Sequence, residues 1–106
     1  MNIRLKQHAE AFDKAAADLK TEHAAQLIQR MEDHLRTQLW SRGAHGLIVR
    51  VAPSTAAPGM VTITLSAVNE ATVVLNQEDC DRLLEILYHR VSARDVLALA
   101  TELKTS

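Results

Sequence analysis

The chain has 106 residues, of which 47% are hydrophobic and only 3% are aromatic, and its formal charge is -1. This length predicts one domain with a modest core built from aliphatic side chains. The nearly balanced charge excludes a general attraction to nucleic acid or to an anionic membrane surface. The single cysteine, Cys80, excludes an internal disulfide and favours a reducing compartment, so we expect a cytoplasmic protein. No apolar run approaches the length of a membrane span.

The first part of the chain, residues 2–42, predicts one long helix. It contains neither glycine nor proline and places apolar residues at helical spacing, and Gly43 is the expected end of the helix. Extended from Asn2 to Trp40, this helix would be about 55 Å long, well beyond the diameter of ~30 Å expected of a small domain. Part of it must therefore overhang the core or meet a second molecule.

The apolar stripe of this helix changes direction near its middle. Its first half has the alternating spacing of four and three that is typical of a coiled-coil seam. We call these six positions the seam: Leu5, Ala9, Phe12, Ala16, Leu19 and His23. From Leu27 to Leu39 the spacing becomes four and four, which rotates the stripe by roughly a quarter turn. We therefore expect the second half, ending in Trp40, to pack on the protein's own sheet, and residues 2–23 to form an arm for oligomerisation or partner binding. On the solvent side, Glu32 precedes Arg36 at the spacing of a local ion pair.

Residues 46–76 predict an antiparallel meander with one buried face. The expected strands are 47–52, 60–67 and 72–75, separated by a loop with two prolines and by a tight turn over 68–71. On the outer face Ile48 and Val74 stand among threonines, and we interpret this face as a solvated surface rather than a binding face. An unpaired edge strand is a further place where a partner strand can add.

Residues 77–104 predict two helices. Asn76 is the expected N-cap of the first, which should run to Arg90. The apolar face changes direction after Val91, and Ser92 with Asp95 forms a capping box at that point, so a break is expected there. The fold class is therefore α+β, with a long N-terminal helix, a three-stranded antiparallel meander and two short C-terminal helices in the order α-β-β-β-α-α.

Candidate chemical groups are present, but their spacing does not favour catalysis or metal binding. The five histidines are His8, His23, His34, His45 and His89. None stands three or four residues from another on a helix, and Cys80 has no second thiol, so neither a metal site nor a cofactor is expected. Ser41, His45 and Cys80 lack the third orienting group and the oxyanion site that nucleophilic catalysis needs, and Cys80 is best interpreted as buried. The nearby acids Glu78, Asp79 and Asp81 are explained by the helix dipole.

The favoured hypothesis is a small non-enzymatic interaction module, an adaptor or inhibitor that occludes a surface of a larger protein. We expect it to be a homodimer through the long helix, of a kind common among bacterial and phage accessory proteins. One alternative is a dimeric nucleic-acid-binding regulator, which is disfavoured because basic and acidic residues interleave along the long helix. A second alternative is an enzyme whose site is assembled across a dimer from His23, His34 or His45.

Overall fold

A three-stranded antiparallel sheet with helices before and after it makes up residues 21–57, 59–87 and 89–105, the part of the chain that the computed structural model describes. Side chains are described from Ala24 onward. Within these residues the order is one helix, three strands and two helices, which confirms the α+β class. The predicted helix over residues 2–20 lies outside the described residues.

The first described helix, α1 (Thr21–Ser41), packs one apolar stripe against the sheet. The buried positions are those expected from the spacing of four: Ala24, Leu27, Met31, Leu35 and Leu39. Gly43 follows the end of the helix with a φ of +111°, and the amide of Ala44 donates to the carbonyl of Leu39 at 3.1 Å. A left-handed residue just after the last turn is the common way to satisfy the final helical carbonyls.

The three strands are β1 (Ile48–Pro53), β2 (Val61–Ser66) and β3 (Val73–Asn76), and each end lies within one residue of its predicted position. β2 is central, with β1 and β3 at the two edges. The register places Val49 opposite Leu65 and Leu65 opposite Val73. These side chains are buried with those of the helices in one core, whereas the alternate residues of each strand are half-buried or exposed. The described helices therefore cover one face of the sheet.

The turn between β2 and β3 closes with the amide of Glu70 donating to the carbonyl of Ala67 at 3.1 Å. Asn69 has a φ of +66° in this turn, a conformation that asparagine tolerates better than most residues. The turn lies one residue earlier than the predicted range 68–71.

The C-terminal part forms two helices, α2 (Gln77–Ile86) and α3 (Ala93–Thr105), as predicted. The Oδ1 atom of Asn76 accepts a hydrogen bond from the amide of Asp79 at 2.8 Å, so Asn76 is the N-cap. The capping box of α3 is also confirmed, since the Ser92 hydroxyl accepts from the amide of Asp95 at 3.1 Å and the Asp95 carboxylate accepts from the amide of Ser92 at 3.3 Å.

The expectation that the first of these helices continues to Arg90 is wrong, because α2 ends at Ile86. The cause is a tertiary contact. The amide of Val91 donates to the carbonyl of Arg42 at 2.8 Å, so the chain leaves the helix in order to pack on the turn that follows α1. A contact between residues so far apart in sequence has no signal in local spacing.

Gly43 and Gly46 provide a matched test of this contact. Both have positive φ, so alanine at either position costs about 1 kcal/mol of backbone strain. A Cβ at Gly43 would lie 2.9 Å from the Val91 carbonyl oxygen, whereas a Cβ at Gly46 would meet nothing within 4 Å. We expect Gly43→Ala to lower the free energy of unfolding by at least about 1 kcal/mol more than Gly46→Ala does, measured by urea denaturation. Equal losses would contradict the packing of this turn.

Candidate interaction surface

The outer face of the sheet is not covered by any element among the described residues. The register arranges its side chains in three rows across the strands: Ile48 with Ser66, then Arg50 with Thr64 and Val74, then Ala52 with Thr62 and Asn76. Ile48 is 44% exposed and Val74 is 43% exposed, and Met60 continues the same face beyond the start of β2 with 43% exposure. The face is thus a flat strip of methyl groups and hydroxyls.

Arg50 is the only charged side chain in these three rows. The three rows contain no cysteine, histidine or carboxylate, so the hydroxyls of Thr62, Thr64 and Ser66 have no general base within the rows to activate them. Such a surface contacts a partner through shape, apolar area and hydroxyl hydrogen bonds. The face therefore has the properties of a surface that contacts solvent or another protein.

The free edge of β1 is closed by side chains of α1. The Glu32 carboxylate accepts a hydrogen bond from the amide of Val51 at 3.0 Å, and the indole Nε1 of Trp40 donates to the carbonyl of Leu47 at 2.8 Å. Pro53, the last residue of the strand, has no amide hydrogen. The edge is therefore protected at Leu47, Val51 and Pro53, while Val49 between them makes no such bond among the described residues.

The predicted ion pair of Glu32 with Arg36 is wrong. Arg36 instead lies 2.9 Å from the carboxylate of Asp33, which leaves Glu32 to bind the strand. Sequence spacing could not distinguish these partners, because the acids at 32 and 33 are both within reach of Arg36 along a helix.

Trp40 lies at the margin of the core, with 37% of its surface exposed. Its ring meets the ring of His45 edge to face, with centroids 6.0 Å apart and an angle of 80° between planes. The Ser41 hydroxyl donates to the carbonyl of Gln38 at 2.9 Å. The contacts observed for Ser41 and His45 therefore stabilise the end of α1 and the turn after it, together with Trp40.

Cys80 is fully buried in α2, as predicted. Burial raises the pKa of its thiol far above the ordinary value, and the negative charges of Asp81 and then Asp79 raise it further. The thiolate, which is the reactive form, is therefore suppressed. Asp81 itself is buried, which the interpretation of the acidic cluster did not foresee. The sequence could have predicted this burial, because Asp81 lies three residues before Leu84 and so on the same, buried side of α2.

The predicted interface residues Leu5, Ala9, Phe12, Ala16 and Leu19 lie outside the described residues. His23 belongs to the first turn of α1, directly before the buried stripe begins at Ala24. The arm and its seam therefore stay predictions.

The described part of the chain contains no group of three or more His, Cys, Asp or Glu placed to hold a metal ion. None of its helices is both long and apolar enough to span a membrane. Comparisons of the whole chain with models of known protein families, with curated proteins and with solved structures gave no match.

Glu32 and Asp33 allow a direct test of the closed β1 edge. We expect Glu32→Ala to lower the free energy of unfolding by about 1 to 2 kcal/mol, because the half-buried amide of Val51 loses its charged acceptor. Asp33→Ala removes an exposed ion pair with Arg36 and an exposed hydrogen bond from Gln29, and should cost no more than about 0.5 kcal/mol. Urea denaturation measures both values. Two equally small losses would show that Glu32 does not hold the edge.

The Cys80 thiol should be unreactive in the native protein. An exposed thiol reacts faster as the pH rises from about 7 to about 9, because the thiolate forms near its ordinary pKa of about 8.5. Burial raises the pKa of Cys80, so native Cys80 should show no such increase and should react only when the chain unfolds. Thiol titration with and without urea checks this. Rapid labelling at pH ~8 without urea would contradict the buried position.

Proposed function

We propose that this protein is a small non-enzymatic interaction module, an adaptor or inhibitor that occludes a surface of a larger protein. In this proposal α1 continues upstream as the predicted helix over residues 2–42, and the seam is its partner-binding face. The cytoplasm is the proposed compartment, in keeping with a free and buried thiol at Cys80.

The observation that carries the proposal is the direction of the buried stripe of α1. The stripe from Ala24 to Leu39 is buried along its whole length in the core that α1 shares with the sheet. If the helix continues upstream at about 100° per residue, the seam points roughly 100° away from that stripe. The seam would then face away from the sheet, where the core cannot cover it.

The side chains of α1 support the same difference in direction between the seam and the buried stripe. On the side of the helix that continues the seam it carries Arg30, His34, Thr37 and Ser41, all of them polar and exposed or half-buried. An apolar seam that changes to a polar face at the start of the domain is typical of an arm that binds at its distal end. Five apolar side chains there supply enough area for a stable contact when they are buried.

The outer sheet face is interpreted from the sequence as a solvated surface, and we now propose it instead as a second contact area of the module. Its single charge, Arg50, and its exposed Ile48, Met60 and Val74 suit contact with a protein surface better than contact with phosphates. The proposal therefore treats the molecule as a binding protein and not as a nucleic-acid reader.

The seam is tested by a Leu5→Ser, Phe12→Ser, Leu19→Ser triple variant used as bait in an extract of the native host. We expect the wild-type chain to capture a specific protein, and the triple variant to bind that protein at least about 100-fold more weakly, because three apolar anchors are lost. The captured protein, once purified, is titrated against both chains by calorimetry.

The matched control is a Gln7→Ser, Lys14→Ser, Asp18→Ser variant, which changes the opposite side of the same predicted helix. It should bind as the wild type does. Equal binding by all three chains would contradict the seam as the binding face, and light scattering of the same variants reports whether the seam also joins two copies of this chain.

A further inference from the structure

We propose that two copies of the chain pair through β3, antiparallel about a two-fold axis at Val74, so that the two three-stranded sheets become one continuous sheet. The pairing does not involve the arm, and it holds whether or not the proposed partner-binding function is correct. The self-association surface is the edge of β3 and not the seam.

The sheet hydrogen bonds determine which backbone groups of β3 face outward. The amide of Val51 points away from β2, toward Glu32, and the amide of Ser54 donates to the carbonyl of Met60 at 2.9 Å, on the β2 side. The backbone groups of successive residues in a strand point to alternate sides. Ile63 lies opposite Val51, whose amide points away from β2, so the backbone groups of Ile63 point toward β3 and bond Leu75. Val74 and Asn76 therefore direct their amides to the free edge of β3.

The two edges of the sheet differ in how many of their outward backbone groups are bonded by side chains. β1 has Glu32 and Trp40 bonded to its outward groups and ends in a proline. Along β3, among the described residues, the outward groups of Val74 make no hydrogen bond of this kind. Proteins that avoid edge pairing place charges, prolines or covering side chains on both edges. In the part of the chain that the structure describes, covering side chains and a terminal proline stand at β1, whereas β3 is protected only by its short length and by the ion pair of Arg94 with Glu70 before its start. The backbone groups of Val74 are therefore the ones left for another strand.

The composition of β3 fits a second copy of itself. The stretch from Ala71 to Gln77 has no charged residue, so the paired strands themselves set no like charges opposite each other, and the flanking Glu70 and Glu78 lie outside them. With the axis at Val74, the two valines exchange both main-chain hydrogen bonds, and Thr72 lies opposite Asn76 of the second copy. Asn76 can donate its amide there, although its side chain caps α2.

The helix beneath β3 leaves room for the second copy. Between β3 and α3 lies a groove of about 170 Å³. Its sheet side is lined by Glu70, Ala71 and Val73, and its helix side by Arg94, Leu97, Ala98 and Thr101. Ala98 and Thr101 are exposed and small, and Arg94 pairs with Glu70 at 3.8 Å at the same groove, so a second chain would approach β3 beside this ion pair. Pairing would also bring the exposed Val74 side chains of the two copies together on the outer face.

A Val74→Pro variant of the full 106-residue chain tests the pairing, because proline removes only an outward amide and edge strands accept it. We expect the wild type to be a dimer by analytical ultracentrifugation, and Val74→Pro to raise the dimer dissociation constant about 30-fold or more, through loss of two hydrogen bonds. Val74→Thr keeps the amide and should stay dimeric. Circular dichroism verifies that each variant keeps its fold.

A Val74→Lys variant keeps the test decisive if the proline variant does not fold. It places two like charges directly opposite each other, so it should dissociate the dimer, and salt at about 1 M should restore the dimer by screening. A wild-type chain that is monomeric at millimolar concentration would overturn the proposal. So would a dimer that survives both Val74→Pro and Val74→Lys, or one that dissociates only when the seam is changed.

Discussion

The packing of α1 along β1 is the contact on which the rest of the structure depends. The stripe from Ala24 to Leu39 supplies one wall of the core, and Trp40 and Glu32 fix the helix to the strand at Leu47 and Val51. The same helix end provides the turn at Arg42, against which the linker before α3 is held. One helix therefore determines which face of the sheet is buried, which edge is closed and where α2 must stop.

Much of this architecture follows from local spacing. The elements are predicted to within a few residues by two periodic patterns, the spacing of four in α1 and the alternation in β2, because burial of one face requires those periods. The caps at Asn76 and Ser92 predict where the two C-terminal helices begin. The end of α2 at Ile86 was missed because its cause, the bond between Val91 and Arg42, joins distant parts of the chain.

The polar contacts were less predictable than the apolar ones. Glu32 was expected on the solvent side, yet it binds the β1 edge, and Asp81 was explained by the helix dipole alone, yet it is buried. Periodicity identifies which side of a helix is apolar, but it does not reveal which polar group at the margin of that side finds a backbone partner. The open face and the open edge became visible only when the register and the strand order were known.

Two surfaces of the molecule are proposed to have different tasks. The proposed pairing through β3 is symmetric and joins two copies of the chain, whereas the arm is proposed to bind a different protein. A dimer joined at β3 would carry two arms and could hold a partner with two sites more tightly than a single arm could. The open sheet faces of the two copies would also become one surface.

Amide hydrogen exchange of the full chain tests the central claim, that the β1 edge is closed within the chain and the β3 edge is closed by a second copy. The account predicts that the amide of Val51 is protected at every protein concentration, because Glu32 accepts it. The amide of Val74 should be protected only at concentrations where the dimer forms, and should exchange rapidly on dilution. Rapid exchange of Val74 at all concentrations, or equal concentration dependence at both residues, would contradict it.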